Sequence, residues 1–537
     1  MRSFASLPAR DPPAPAWWFA SATLVLLLLV PLFLTEIPPL LDYPNHLARM
    51  EILAHGAADP VLARMYRVDW RIVPNIGIDL AMPALMHLLP LYEAGKVFVA
   101  LALILPLAGV IALHRALFGV RSSWPLAAGL VVYNRLFFAG FLNFLIGVGL
   151  ALLAAALWEA LRERWLARAL TGVVAGIMIF FCHLIAVAFY GLLLLALELA
   201  RLRRERRFDL DRLAVLAIPF IVPAILYLNA PIGAAPQGGP HGFGGQFQAY
   251  YWALVKSWQG LKLYGFLGPF LTYARPLDIA ALGLVAIVLT LLRFGGQLQI
   301  APAAAGAAIF LMLLYPVTPF FMMETAWVDQ RLPIMAGFLL FAATMPVVGS
   351  VRTTRLIGAA IAVAIVARTG MIGLSWNAHD TEIADFRAVI APVQPGDRVL
   401  VAQAERNADS AAMVNNPDSV RAMVLNDSTQ HLPALLVTER HAFWPLLFTA
   451  PTKQPVRVNP PYDALSLPEG ELPWVGGLAN PGPEDLRWAP YLTDWQEKFD
   501  WVLLLYPGWV ADGYELLPDR LEQVNAGKVA VLYRVRR

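Results

Sequence analysis

Glu36, Asp42, Asn45, His46 and Arg49 fall within "TEIPPLLDYPNHLAR", directly after an apolar run that ends at Leu34. Two carboxylates, a carboxamide, an imidazole and a guanidinium in so short a stretch could supply a general base, hydrogen-bond donors and a cation for a leaving anion. A second set lies far along the chain in "WVDQRLP", where Asp329 and Arg331 precede another apolar run. A guanidinium there suits a phosphate, although an Asp329–Arg331 structural pair reads equally well. Arg135 stands beside Asn134 and near Asn143, and His183 interrupts another apolar stretch. Lys256 and Lys262 lie in the aromatic segment "FQAYYWALVKSWQGLKLYGF". Its Tyr250, Tyr251 and Trp252 fit an interfacial helix first and sugar stacking second. His241 reads as an exposed loop residue, and His55 and His87 as structural or interfacial.

The elements that must carry these residues are membrane spans. Of 537 residues, 58% are hydrophobic and 15% charged, where a soluble domain carries about 25% charged residues. The net charge of +3 is too small to point to nucleic acid. Cys182 is the one cysteine, so no intrachain disulfide or CxxC metal knuckle exists. Arg2 and Arg10 precede the first apolar run, which continues into "FLTEIPP" without a small-residue cleavage site, so it reads as an uncleaved helix. Apolar runs predict spans near 17–35, 97–114, 124–138, 141–158, 169–182, 184–200, 213–229, 277–292, 300–316, 332–349 and 356–374, about eleven by the length a bilayer requires. Arginines cluster in alternate connections, at Arg115 and Arg121, Arg162 to Arg168, Arg201 to Arg207, Arg293, and Arg352 and Arg355. Positive residues stay cytoplasmic, so the N-terminus is expected inside and the C-terminal region outside. Asn134, Arg135 and Asn143 fall at one short outer turn and His183 at another, where they either line a wet, recessed cavity or are a snorkelling arginine and a hydrogen-bonded histidine.

The organisation expected is a transmembrane domain, 1–376, with an outer loop at 36–95, followed by an extracytoplasmic α/β domain at 377–537. In the tail, "DRVLVAQ", "PALLVTE" and "DWVLLLYP" read as buried strands, "KVAVLYRV" as a terminal edge strand and "LPDRLEQVNAG" as a helix. In the outer loop, Pro38 and Pro39 keep the chain extended, Asp42 caps a short helix with Pro44 in its first turn, and Gly56 ends it. Leu47, Met50 and Ala54 share a face suited to the membrane interface. A second helix covers Asp79 to Leu89, with Asp79 as its cap.

A first span, a long outer loop with acidic residues and interfacial helices, many further spans and an outer C-terminal domain together resemble the GT-C type of membrane glycosyltransferases. That group includes the protein mannosyltransferases and the aminoarabinose transferase of lipid A. The resemblance covers the topology of residues 1 to about 376 and keeps an acidic pair as Glu36 and Asp42, six apart where several members have adjacent or near-adjacent acids. It implies a bacterial inner-membrane enzyme that moves a sugar from a polyprenyl-phosphate donor to an extracytoplasmic glycan, lipid or protein. Asp42 and Glu36 are then the catalytic acids, the spacing leaving open which does what, with Asp42 taken as the base. His46 and Asn45 orient substrate, and Arg331, Asp329, Arg135, Lys256 and His183 complete the binding set. A divalent metal, if one takes part, falls to Asp42, Glu36 and His46. A lipid-linked saccharide transporter and a non-catalytic envelope-assembly factor are the competing readings. The absence of an internal repeat and the outward clustering of polar residues weigh against the transporter.

Overall fold

The computed structural model describes residues 13–206, 210–230, 250–252, 254–255, 257–258, 262–322, 325–404, 428–509 and 516–537. The chain folds as two compact units. One comprises Met1–Val30, Ile72–Gly77 and Phe98–Ile372, and the other Pro31–Arg71, Ile78–Val97 and Gly373–Arg537. Most of the 36–95 segment, expected with the spans, therefore groups with the tail. The expected boundary at 376 falls inside one unbroken helix, Val351–Ile390.

The first unit is helical. Among the described residues seven helices are long and apolar enough to cross a membrane: Ala14–Phe33, Leu91–Phe118, Leu142–Ala160, Trp165–Cys182, Leu184–Glu205, Arg275–Phe294 and Val351–Ile390. Shorter apolar helices cover Val215–Asn229, Pro302–Val317 and Arg331–Ala343. Each of these matches an expected span. The exception is 124–138, which is not one helix. A 3-10 turn at Trp124–Ala128 leads into the short helices Gly129–Val132 and Arg135–Phe138. Asn134 makes the break, because its side chain accepts from the backbone of Leu136 and Phe137, both at 3.1 Å, and caps a new helix. The core of the unit places Leu142–Ala160 against both Trp165–Cys182 and Leu184–Glu205. Small residues set the closest approaches. A β-carbon on Gly149 would stand 2.5 Å from the Leu105 carbonyl carbon, and one on Gly176 would stand 2.2 Å from the Pro219 oxygen. Many large apolar side chains on the spans stay exposed, among them Phe19, Leu26, Leu170, Ile287, Phe294 and Val363, as a lipid-facing surface requires.

The second unit has a four-stranded sheet in the order Val399–Gln403, Trp501–Leu505, Ala530–Val535, Leu521–Ala526. The first pair is parallel and the other two are antiparallel. Two strand expectations are met, "VLVAQ" and "WVLLL", each with every residue buried. Three are corrected. "PALLVTE" is a 3-10 turn running into the helix Leu435–Arg440. "LEQVNA" is a strand rather than a helix, and it forms the sheet edge. "AVLYRV" therefore lies inside the sheet. It has a hydrogen-bonded strand along each edge and is buried at all but one residue, whereas the edge strand is exposed along most of its length. A separate antiparallel pair joins the 36–95 segment to the tail within this unit, Tyr66–Val68 with Val456–Val458.

Candidate functional site

The helix Tyr43–His55 starts at Asp42, with Pro44 in its first turn and Gly56 after its end, as expected. Its environment is not the expected one. Leu47 and Met50 are buried in protein rather than lying on a membrane interface, and the helix packs on the Leu432–Arg440 segment of the tail. The Asp42 side chain makes no capping bond to the helix. The sequence logic of the cap gave the right start and the wrong use of the carboxylate.

Three partners surround the start of this helix. Asn45 is fully buried, and its Nδ2 lies 3.1 Å from His431 Nδ1 while its Oδ1 accepts from the Phe448 backbone N–H at 3.0 Å. Asp42 Oδ1 stands 3.5 Å from the same His431 nitrogen. His46 Nδ1 accepts from Arg49 Nη2 at 3.0 Å. The Phe448 ring meets both imidazoles edge to face, His46 at 5.9 Å and His431 at 5.2 Å between centroids. Burial pushes the His431 imidazole down to about 4, so it is neutral at neutral pH.

Behind this layer, Arg49 and Asp79 form a buried, two-pronged ion pair, with Arg49 Nη2 on Asp79 Oδ2 at 3.1 Å. Asp79 stands in the first turn of Gly77–Met86 and was expected to cap it. It serves Arg49 instead. Paired this way, Arg49 can be buried within its own helix.

Glu36 takes a different place. Its carboxylate accepts from Arg387 Nη1 at 2.6 Å, and Arg387 also grips Glu439. Tyr92 donates to the same Glu439. The Glu36 backbone N–H and the Thr35 hydroxyl are held by Asp380. Among the described residues no group of three or more His, Cys, Asp or Glu side chains could hold a metal ion. The suggested set of Asp42, Glu36 and His46 thus does not assemble as a ligand cage, with Glu36 on Arg387 and His46 Nδ1 facing Arg49.

The first unit gathers the other predicted residues in a second cluster. Asp329 is fully buried and pairs with Lys262 Nζ at 2.9 Å, not with Arg331. Arg331 is the first residue of its helix, donates to the Ala326 carbonyl at 2.9 Å, and lies over the rings of Phe141 and Phe144 at 5.0 and 5.6 Å. Arg135 lies over Trp327 at 4.8 Å, and Trp327 meets Phe141 edge to face. His183 packs on the same Phe144 ring and caps the helix Leu184–Glu205 by accepting from Ile185 N–H at 3.0 Å. Asn143 donates to the Asn75 carbonyl at 2.9 Å. Cation–π stacking of this kind helps to hold both guanidinia in place. Tyr250 donates to the Val317 carbonyl, and Trp258 to the Pro316 carbonyl at 3.1 Å, which ties the aromatic segment to the 315–317 turn. Lys256 and His241 lie outside the described residues.

Sequence reasoning missed His431 and Phe448. They lie 386 and 403 residues beyond Asn45 in a segment with no motif, and only the fold brings them together.

These features define a multi-pass membrane protein with a polar cluster on its first extramembrane loop. No family model and no curated protein matches the chain. Among solved structures it is similar to the crystal structure of ArnT from Cupriavidus metallidurans in the apo state, with 13% identity over 97% of this chain and 98% of that one and a TM-score of 0.45. It is also similar to the crystal structure of ArnT from the same organism bound to undecaprenyl phosphate, with 15% identity, the same coverage and a TM-score of 0.43.

Proposed function

We propose that this chain is a membrane glycosyltransferase that takes a sugar from a polyprenyl-phosphate donor and passes it to a hydroxyl on an envelope glycan, lipid or protein outside the cytoplasm. The observation that carries the reading is Asp42. It follows the first span closely, its carboxylate does not cap the helix it starts, and a neutral imidazole stands beside it. A donor whose lipid tail stays in the bilayer presents its sugar near the membrane surface, and a short tether from a span keeps a base at that level.

In the proposed reaction, Asp42 accepts the proton of the acceptor hydroxyl as its oxygen bonds to the anomeric carbon. The bond from that carbon to the phosphate oxygen breaks, and the polyprenyl phosphate leaves with the electron pair. Positive charge must meet the leaving phosphate. The sequence resemblance to the GT-C group supports the same chemistry. No step is routed through a metal, because Glu36 is held by Arg387 and His46 Nδ1 by Arg49.

The test uses the full-length chain in lipid nanodiscs with a panel of polyprenyl-phosphate-linked sugars and a lysate-derived acceptor pool. Release of polyprenyl phosphate with a new glycosidic bond is expected from the native chain. Asp42→Asn should lower it by about a hundredfold or more, the range for loss of a general base. Movement of the intact donor across the bilayer with no new bond would instead favour a transporter.

A further inference from the structure

The Asn45–His431–Phe448 arrangement fixes a tautomer. The Phe448 N–H needs an acceptor and finds Asn45 Oδ1 at 3.0 Å. That orients the carboxamide, so the group 3.1 Å from His431 Nδ1 is the NH2 end, which only donates. His431 Nδ1 must therefore be the acceptor, and a neutral imidazole then carries its proton on Nε2. The Nε2 atom has no hydrogen-bond partner among the described residues, and the side chain keeps 20% of its surface exposed. His46 is fixed in the same sense. Arginine has no acceptor atom, so Arg49 Nη2 at 3.0 Å can only donate to His46 Nδ1.

From this geometry we infer that His431 is a substrate-contacting hydrogen-bond donor beside Asp42, with Asn45 as the positioning residue that holds its N–H on Nε2. The group it takes is an oxygen acceptor, either a phosphoryl oxygen or a hydroxyl oxygen of the sugar. The inference rests on the glycosyltransferase reading for the identity of the substrate, but the tautomer stands on geometry alone. A neutral N–H suits this place. It binds an oxygen without adding a charge that would lower the basicity of the carboxylate next to it.

The test has two arms on the full-length protein in nanodiscs. The first is 15N magnetic resonance of histidine-labelled protein, with His431 assigned by its loss in His431→Gln. The native chain should show a protonated Nε2 and a bare Nδ1. Asn45→Asp presents only acceptor oxygens to Nδ1 and should invert this pattern. Addition of a polyprenyl phosphate should move the Nε2–H resonance if the oxygen is phosphoryl, and addition of a neutral methyl glycoside should move it if the oxygen is a hydroxyl. The second arm is turnover. His431→Gln keeps an N–H near the Nε2 position and should retain much of the rate. His431→Asn places its amide near Nδ1 and should lose roughly tenfold or more, the scale of one unmade buried hydrogen bond.

A native Nδ1–H tautomer, an Nε2–H resonance that neither probe moves, or equal rates for His431→Asn and the native chain would each overturn the assignment. If the native chain transfers no sugar while its Nε2–H still responds to polyprenyl phosphate, the enzyme reading fails and the His431 contact survives.

Discussion

At the scale of single residues, charge in this protein is handled by pairing. Arg49 is 2% exposed and Asp79 not at all, and Arg49 Nη1 has no hydrogen-bond partner even in the native pair. Removing the carboxylate would leave a buried guanidinium uncompensated. Asp79→Ala should therefore destabilise the second unit by about 3–5 kcal/mol, read as a fall in the thermal unfolding midpoint. The double change Arg49→Met with Asp79→Leu should recover much of that loss, because the desolvated charges go together. The pH dependence follows from His431. Its folded value of about 4 lies below the ordinary value near 6.5, so the unfolded chain binds the proton first. Stability should fall as pH drops from about 6.5 to about 4 and level off below that with respect to this group. His431→Gln should flatten that part of a denaturation-against-pH profile. Asp59 adds an acid-side loss at lower pH. Its carboxylate is held below its usual range by the backbone N–H groups of Leu62 and Val61 and by His441, so that contribution disappears as the carboxylate protonates.

At the scale of elements, what was legible in the sequence was whatever a local rule determines. Hydropathy placed the spans, and Pro44 and Gly56 bracketed the Tyr43–His55 helix correctly. The failures were non-local. Leu47 and Met50 make the same apolar stripe whether it faces lipid or protein, so their burial against the tail could not be read from spacing. "LEQVNA" has helix-forming residues and becomes a strand because the Ala530–Val535 strand offers it a partner. Likewise Asn134 looked like a candidate cavity residue and instead caps a helix inside a broken span. Of the site, Asp42, Asn45 and His46 could be listed from one stretch, but the pairing of Glu36 with Arg387 and of Asn45 with His431 needed coordinates. Helix packing gives a sharp prediction here. Gly149→Ala would bring a β-carbon to 2.5 Å from the Leu105 carbonyl carbon, contact with rigid backbone, and should destabilise the bundle by about 1–3 kcal/mol. The measurement is the detergent-solubilised melting temperature of the variant against the native chain.

At the scale of the whole molecule, the sidedness expected from the arginines can be tested with the cysteine count. The sequence has one cysteine, so a single Cys182→Ala change gives a blank background. On it, Arg203→Cys and Glu469→Cys report the two expected sides at exposed or part-exposed positions. In spheroplasts, a membrane-impermeant maleimide should label the cysteine at 469 at once and the one at 203 only after lysis. The reverse pattern would invert the topology and remove the proposed base from the outer surface.

The native thiol has a use of its own. Cys182 is 7% exposed, and a β-carbon on Gly147 would stand 3.1 Å from its own β-carbon, so the neighbouring helix backbone covers it closely. An alkylating reagent reaches sulfur there only when those helices part. In the unaltered chain, the rate of thiol modification is then a stopwatch for breathing of the bundle, with no label added and no second sulfhydryl to confuse the reading.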